Sequence, residues 1–328
     1  MHVFRSLGEI PKSLGRTVVS IGNFDGVHLG HQLILERLRQ SAAARSARSV
    51  AVTFDPHPSR FLRPENCPKL ITPLAARLEL LGDTGIDAVL VLPFTAELSR
   101  MRAAEFVTAI VHDALRALEV HEGTNFRFGN RAEGGIAELN ELGRTLGFEV
   151  VIHAACRVIG LTVSSSKIRK LLSLGEMRTA RLLLGHGFFV DSTPATGRGI
   201  GGTLTVPTIN LAPYRELLPP NGVYVTQLRV AGEWFDAVTN VGNRPTFGAD
   251  SFAVESYLLN FRPIALDDQT PLRLLFHRRL REERRWPSPA ALKEQIMRDV
   301  ARAKRYLHLM RLLGKAPDGP TGVRATMM

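Results

Sequence analysis

The chain has 328 residues, of which 45% are hydrophobic and 22% charged, and its formal net charge is +11. This length favours two domains over one, and the composition is that of an ordinary globular protein. No apolar run approaches the length of a membrane span and no charged-then-apolar leader opens the chain, so we expect no membrane partner. Two cysteines are too few for a disulfide framework and indicate a reducing, cytoplasmic location.

The positive charge suits polyanionic partners, either nucleotides or nucleic acid, and does not choose between them. It is spread over Arg-rich stretches at 37–48, 169–181 and 278–285, which is typical of solvated helix faces. The aromatic residues of the C-terminal half are not interleaved with Lys and Arg in a stacking pattern. We therefore expect no nucleic-acid partner, although a basic RNA-binding protein is the rival from another class. The sequence carries no indication of an oligomeric state.

Strand-like and helix-like segments alternate from Thr17 to about Phe148. Short apolar runs predict buried strands at 18–21, 50–54, 88–93 and 148–152. Helical spacing predicts helices at 32–44, 74–81, 101–118 and 136–146, and at 166–184 with a break at Gly175. This alternation predicts an α/β domain, in which a parallel sheet carries helices on both faces.

The composition changes after Gly185. Short β-rich runs at 188–190, 222–230, 234–240 and 252–259 are separated by Gly, Pro and Asn, which predicts a small antiparallel β-barrel. The stretch 288–312 predicts one closing helix, with Ser288 as its N-cap and Pro289 in its first turn. We expect domains at residues 1–185 and 186–314, followed by a disordered tail at 315–328.

The stretch from Thr17 to His31 takes a buried strand through a Gly-containing turn into the start of a helix. Free N–H groups and the positive end of the helix dipole make such a junction an anion site. His28 and His31 are three residues apart, so we expect them on one helix face, with Gly30 leaving room between them. There they would meet a triphosphate as donors and cations. The alternative is a pair of surface histidines beside a helix cap.

A proline-flanked loop, Thr53-Phe-Asp-Pro-His-Pro58, follows the second predicted strand. Open α/β sheets bind their ligands at this carboxyl edge, and the prolines would hold Asp55 and His57 there. The alternative is a stiffened loop with incidental polar residues.

The stretch 123–129 places Arg127 between Phe126 and Phe128 in a glycine-bounded turn. The aromatic faces would stack on a heterocycle while Arg127 neutralises phosphate. Buried phenylalanine packing around a solvated arginine is the alternative.

Three consecutive hydroxyls, Ser164, Ser165 and Ser166, come just before a predicted helix. Such side chains cap a helix and also donate to phosphate oxygens. Arg169 follows one turn later and would face the same anion. A plain capping run is the alternative.

In their order along the chain, the stretches 22–31, 53–58, 125–129 and 164–169 resemble the adenylyltransferase half of the bacterial bifunctional riboflavin kinase/FAD synthetase family. The resemblance implies a Rossmann-like nucleotidylyl transferase fold that transfers AMP from ATP to FMN, giving FAD and pyrophosphate. Catalytic roles in stabilising the leaving pyrophosphate would fall to His28, His31 and Arg169, with Mg²⁺ bridging the phosphates. The nucleotide-binding residues would be Gly22, Asn23, Phe24, Asp25, Asp55, His57, Asn125, Arg127, Ser164, Ser165 and Ser166. The family usually has Asp at the position of Asn125.

The stretch 197–210 is the main signal in the C-terminal half. The glycines Gly197, Gly199 and Gly201 would let the backbone approach a phosphate closely. Thr208 and Asn210 lie on one face of an extended segment and offer the hard oxygen ligands that suit Mg²⁺. A Gly-rich hairpin leading into a strand is the alternative.

Together with the stretches 221–224, 240–248 and 254–261, this segment resembles the riboflavin kinase module that follows the adenylyltransferase in the same family. The resemblance implies that Glu255 is the general base, which takes the proton of the riboflavin 5′-hydroxyl as it attacks the γ-phosphorus of ATP. A solvent-facing strand glutamate is the alternative. The chain departs from the family pattern at Gly202, Thr205 and Asn260.

The resemblance thus implies a bifunctional enzyme that binds ATP, riboflavin, FMN and FAD, with Mg²⁺ accompanying ATP. One alternative is an FAD synthetase whose kinase module is weakened or inactive. Another is a nucleotidylyltransferase for a different phosphorylated acceptor, against which the C-terminal stretches argue.

Overall fold

The computed structural model describes residues 1–195, 202–204, 208–243 and 252–314, and gives only the backbone at 202–204, 243 and 252. The chain divides into two compact units, Met1–Ser165 and Ser166–Met328. In the described ranges, no helix has both the length and the apolar character needed to cross a membrane. The boundary after residue 185 stays a prediction, and the predicted tail lies outside the described residues.

The first unit is an α/β structure built on one parallel sheet. Its strands are β1 (His2–Phe4), β2 (Thr17–Ile21), β3 (Arg48–Asp55), β4 (Ala88–Pro93), β5 (Ala117–Gly123) and β6 (Glu149–His153), followed by the small hairpin β7 (Arg157–Val158) and β8 (Leu161–Thr162). Its helices are α1 (Leu29–Ala44), α2 (Pro58–Leu62), α3 (Leu74–Asp83), α4 (Ala96–Arg100), α5 (Ala103–Phe106) and α6 (Ile136–Leu146). The predicted α/β fold is confirmed.

The order of strands in the sheet is β1-β4-β3-β2-β5-β6, and every neighbouring pair is parallel. From β2 the chain adds β3 and β4 on one side, and then β5 and β6 on the other. The topological switch point therefore lies between β2 and β5. Ligands of open α/β sheets bind in the crevice outside the carboxyl ends of the strands at such a point.

The helix predicted over 101–118 is wrong beyond Ala114. After α5 the chain makes a π-helical segment, Val107–Ala114, and then enters β5, an inner strand of the sheet between β2 and β6. The strand was missed because Glu119, His121 and Glu122 interrupt the apolar pattern, although all three are buried. A polar sequence in an inner strand gives no periodic strand signal.

The described residues of the second unit form an antiparallel β structure with three helices. Its helices are α7 (Ser165–Ser173, entering from the first unit), α8 (Met177–Leu184) and α9 (Pro289–Leu312). Its strands are β9 (Phe188–Ser192), β10 (Gly202–Leu204), β11 (Thr208–Asn210), β12 (Gly222–Val230), β13 (Glu233–Asn243), β14 (Phe252–Leu258), β15 (Ile264–Leu266) and β16 (Leu272–Arg281). Six of them form an antiparallel sheet in the order β11-β14-β13-β12-β16-β9.

The predicted antiparallel domain with a closing helix is confirmed. Ser288 caps α9 by accepting the Ala291 amide at 3.2 Å, and Ala303 and Leu307 of α9 pack into the apolar core. The break predicted at Gly175 is a residue with φ of 77°, which separates α7 from α8. The expectation that 278–285 lies on a helix face is wrong, because its first residues belong to β16.

Candidate active sites in the two units

The two histidines of the opening stretch form a stacked pair at the start of α1. The helix begins at Leu29, three residues earlier than predicted, and His28 is its N-cap, with Nδ1 accepting the His31 amide at 3.3 Å. The two ring centroids are 3.6 Å apart and the planes differ by 14°. A Cβ on Gly30 would lie 3.3 Å from the His28 ring, so glycine is the residue that fits this close approach.

His28 and His31 were both expected to be cations, and the protonation state of His31 differs from that expectation. Burial, and then the neighbouring His28, lower the pKa of His31 well below its usual value. Its Nδ1 is enclosed and has no hydrogen-bond partner in the described part of the chain. His31 is therefore neutral at pH 7 in the free chain, and an anion bound beside it would raise its pKa again.

The turn between β2 and α1 is strained at two residues that are not glycine. Phe24 has φ of 47° and Val27 has φ of 34°, values that L-residues rarely adopt. Phe24 is buried, and its ring meets the edge of the His31 ring at 5.2 Å. Such strain is held by the surrounding structure and is common at functional sites. Phe24 supports the histidine pair from the protein side.

Asp25 fastens this turn to a neighbouring loop. Its buried carboxylate accepts the amides of Ile71 at 3.1 Å and Thr72 at 2.9 Å, and also the Thr72 hydroxyl at 3.3 Å. The Thr72 hydroxyl oxygen accepts the Gly26 amide at 2.9 Å in return. These bonds give Asp25 a positioning role at the crevice.

Arg77 of α3 ties the ends of β2 and β3 together, and sequence reasoning missed it. Its guanidinium donates to the carbonyl oxygens of Asn23 at 2.7 Å and Phe54 at 3.1 Å. Burial lowers the pKa of Arg77, while the carboxylates of Asp25 and Asp55 raise it. The Asn23 side chain oxygen is enclosed and unpartnered among the described residues, which leaves an acceptor beside the turn.

The loop after β3 holds one of its two predicted residues firmly. His57 is buried and caps α2, with Nδ1 accepting the Ser59 amide at 3.1 Å, whereas Asp55 is exposed. An aromatic cluster that the sequence reasoning missed lies next to this loop. The Phe94 ring meets Phe54 at 5.8 Å and Phe61 at 6.0 Å, and Phe61 is 45% exposed.

The arginine-aromatic turn follows the alternative given for it. Phe128 is buried in the core against Phe106, and Phe126 stacks on Phe128 at 5.3 Å. Arg127 and Asn125 are exposed. One face of the Phe128 ring is thus used by Phe126, and Arg127 is the part of this turn open to a ligand.

The serine run connects directly to the opening turn. Helix α7 begins at Ser165, whose hydroxyl donates to the Asp25 carbonyl at 3.0 Å. Ser164 is partly buried and Ser166 is exposed. Arg169 is partly buried one turn further along α7, and its meeting with the histidines stays a prediction.

A buried ionic cluster on β5 fastens α1 to the sheet. Glu119 accepts hydrogen bonds from Ser41 of α1, from Arg45 directly after that helix, and from Nε2 of His121 at 2.9 Å. Nδ1 of His121 lies 3.1 Å from Nε2 of His153. Burial alone would raise the pKa of Glu119, but the bonds from His121 and Ser41 and the charge of Arg45 lower it below its usual value.

In the second unit, the register of the sheet brings the predicted kinase residues together. Asn210 of β11 is directly opposite Glu255 of β14, and Glu255 is opposite Asn240 of β13. Thr208 is two residues from Asn210 and lies on the same face, because side chains alternate along a strand. Glu255 is exposed, while Val254 is buried on the other face, so the expected apolar neighbour points away.

The remaining predicted positions of this unit are as follows. Gly197, Gly199, Gly201 and Thr205 lie outside the described residues. Gly202 is in β10, opposite Leu266 of β15. The side chain oxygen of Asn260 accepts the Asp236 amide at 3.0 Å, so it fastens the end of β14 to β13.

A strained strand–turn–helix at a topological switch point and a row of oxygen-bearing side chains beside a carboxylate are features expected of a nucleotide-dependent transferase. Residues 10–167 match the family model described as FAD synthetase, and residues 184–307 match that described as riboflavin kinase. The bifunctional riboflavin kinase/FMN adenylyltransferase of Pseudomonas fluorescens is 36% identical over 305 residues, covering 93% of this chain and 97% of that protein. The protein of the same name from Escherichia coli (strain K12) is 30% identical over 294 residues, covering 89% and 93%.

The chain belongs to the family of bifunctional riboflavin kinase/FMN adenylyltransferases. A solved structure described as a macrolide-efflux protein from Streptococcus pneumoniae has the same fold. Its TM-score is 0.80 at 24% identity, and the match covers 92% of this chain and 98% of that one.

Proposed function

We propose that this chain phosphorylates riboflavin to FMN in its second unit and adenylylates FMN to FAD in its first, using ATP in both reactions and releasing pyrophosphate in the second. Family membership supports both activities. The observation that carries adenylyl transfer is the stacked His28–His31 pair at the start of α1, beside the switch point. The observation that carries the kinase reaction is the register of Asn210 with Glu255.

In adenylyl transfer the phosphate of FMN is already a nucleophile, so no strong base is needed. The chain has to align that phosphate with the α-phosphorus of ATP and stabilise the leaving pyrophosphate. The N-terminus of α1 supplies amides and the positive end of its dipole. His31, whose pKa is lowered by burial, acts as a hydrogen-bond donor that gains charge as the anion approaches, and the His28 ring lies stacked beside it. Arg169 and the serine hydroxyls add further donors.

The exposed Phe61 and its neighbour Phe94 give this site an apolar wall at the carboxyl end of β3 and β4. A flat flavin ring is a suitable ligand for such a surface, because ring faces contribute large contact areas at little entropic cost. We assign the flavin side of the first site to this cluster.

In the kinase reaction the riboflavin hydroxyl has to lose a proton as it attacks the γ-phosphorus. Glu255 is the base, because it is the carboxylate in the Asn210–Glu255–Asn240 row. Its exposure leaves it accessible to a substrate hydroxyl. Asn240 lies on the other side of Glu255 in the register of the sheet.

The ATP chemistry of the family implies Mg²⁺, and the side chains in the second unit fit it. Thr208 and Asn210 offer oxygen donors two residues apart on one strand face, beside the Glu255 carboxylate, and hard oxygen ligands are what Mg²⁺ prefers. They would hold the ion against the phosphates, where it neutralises developing charge. The described residues contain no cluster of three or more His, Cys, Asp or Glu arranged to hold a metal.

The test is chromatography of flavin products from the purified full chain with ATP and Mg²⁺. The wild type should convert riboflavin to FMN and then to FAD. His28→Ala should stop at FMN, and Glu255→Gln should form no FMN from riboflavin but still convert supplied FMN to FAD.

Matched controls are His112→Ala and Glu294→Gln, two exposed residues that should leave both products unchanged. FAD formed from FMN without any FMN formed from riboflavin in the wild type would leave an FAD synthetase with an inactive kinase module. Loss of both products in either site variant would contradict two separate sites.

A further inference from the structure

Glu122 occupies the topological switch point itself. β2 and β5 are paired as far as Val19 and Val120, and beyond this pair the Ile21 amide donates to Glu122 Oε1 at 2.6 Å. At the point where the two strands separate, a side-chain carboxyl group thus replaces main-chain atoms of β5 as the hydrogen-bond partner of β2. Glu122 is 4% exposed. Ile21 is the residue directly before the strained turn, so this bond fixes where the turn starts.

The surroundings of Glu122 favour an uncharged carboxyl group. Burial raises the pKa of Glu122 well above its usual value, and the bond from Ile21 offsets only part of that rise. β2 has no titratable side chain, and the strand register places those of β5 and β6 on the opposite face of the sheet. They are Glu119, His121, Glu149 and His153. The helical segments packed on the face of Glu122 carry Glu97, Arg100, Glu105, His112, Asp113, Glu138, Glu141 and Arg144, none of them buried.

We propose that Glu122 is a positioning residue for adenylyl transfer, holding β2 and β5 at the spacing the nucleotide needs and keeping an uncharged hydrogen-bonding group at the crevice. This inference rests on the proposed function of the first unit. A protonated carboxyl group supplies an O–H donor that the ionised form lacks, and the ionised form would repel a triphosphate. Glu122 lies where β2 and β5 separate, which is the point at which the ligand crevice of such a sheet opens.

Two substitutions separate the bond from the charge. Glu122→Gln keeps an oxygen acceptor for the Ile21 amide and is neutral at every pH, whereas Glu122→Leu removes the acceptor. We expect kcat/KM for ATP in adenylyl transfer by the wild type to fall at alkaline pH, and Glu122→Gln to abolish that alkaline limb. Glu122→Leu should raise KM for ATP about tenfold, the effect of one lost hydrogen bond.

Stability gives a readout that is independent of activity. The folded chain holds the Glu122 proton more tightly than the unfolded chain does. The stability that this protonation contributes is therefore fully present below the ordinary pKa of glutamate, and it is lost as pH rises through the raised pKa of the folded chain. The unfolding free energy of the wild type should therefore fall relative to that of Glu122→Gln as pH rises. Glu141→Gln, an exposed glutamate on α6, is the control and should leave both the pH profile and the stability unchanged.

The kinase reaction of the same molecules is the internal reference and should keep its pH profile in every variant. A Glu122→Gln variant with the alkaline limb and the pH-dependent stability of the wild type would overturn the inference, even if Glu122→Leu fails to fold. If the wild type makes no FAD from FMN, the proposed function itself fails and this inference with it. A working wild type with unaffected variants refutes the inference alone.

Discussion

Replacing Arg77 with methionine should loosen the crevice from inside the protein. The Arg77 side chain is 1% exposed and donates two hydrogen bonds to the carbonyl oxygens of Asn23 and Phe54. A bond from a charged donor contributes about 1.5–3 kcal/mol, so losing two costs roughly 3–6 kcal/mol. Relief of the buried guanidinium charge returns part of this cost. We therefore expect Arg77→Met to lower the unfolding free energy by about 3 kcal/mol.

The two tryptophans allow this loss to be located. Trp234 and Trp286 both lie in the second unit, so their fluorescence follows that unit, while far-UV circular dichroism also follows the helices of the first. In urea, Arg77→Met should shift the dichroism transition and leave the fluorescence transition in place. KM for ATP in adenylyl transfer should rise, because the Asn23 carbonyl loses its anchor.

Arg63→Met is the control, since Arg63 is an exposed arginine directly after α2, the helix that follows the loop at the end of β3. It should change stability by less than about 0.5 kcal/mol. If Arg77→Met matches Arg63→Met in both transitions, the two carbonyl bonds do not stabilise the crevice. Equal shifts of both transitions would show instead that Arg77 acts on the whole chain.

Three further changes probe other parts of the structure. Glu119→Gln removes the carboxylate from a buried cluster and should lower the free energy of unfolding, measured in urea, by about 3 kcal/mol. The control Glu36→Gln, at a side chain that is 43% exposed, should lower it by less than about 0.5 kcal/mol. Equal effects of the two substitutions would show that the cluster does not stabilise the fold. Gly30→Ala should lower kcat/KM for adenylyl transfer about tenfold by displacing the His28 ring. Its stability should be kept, because alanine favours the helix, and an unchanged rate would contradict the required close approach. Burial, and then Arg181, lower the pKa of His277 to about 3, so its contribution to stability is lost as pH falls below about 6.5. His277→Gln should flatten that loss in tryptophan fluorescence, and a slope equal to that of the wild type would refute the assignment.

The spacing of apolar residues was sufficient to predict a strand or helix wherever the buried side of that element is purely apolar. The strand at 88–93 and the helices at 74–83, 136–146 and 289–312 agree with prediction to within two residues. Such elements bury one stripe or a continuous run of apolar side chains, and that pattern is visible in one dimension. β16 was missed because its C-terminal half is rich in arginine, although its N-terminal half is buried.

The candidate site was predictable in its residue types and much less so in their roles. The spacing of His28 and His31 indicated a shared position, and the structure stacks the rings. The roles of Asp25 and Phe24 depend on partners nearly fifty residues away or on a turn with positive φ, and no local pattern carries that information. Arg77 was invisible for the same reason, because its bonds go to main-chain carbonyls that every residue possesses.

β5 shows why polarity and burial coincide at the centre of this unit. On one face of the strand, Glu119 and His121 form the ionic cluster that holds α1, the helix that begins with the histidine pair. On the other face, Glu122 holds the last amide of β2, the strand that leads into the same turn. Both ends of the turn are thus fastened by one strand through side chains that an apolar residue cannot replace. The polar side chains that interrupt the apolar pattern of β5 are therefore the same side chains that fasten the turn between β2 and α1.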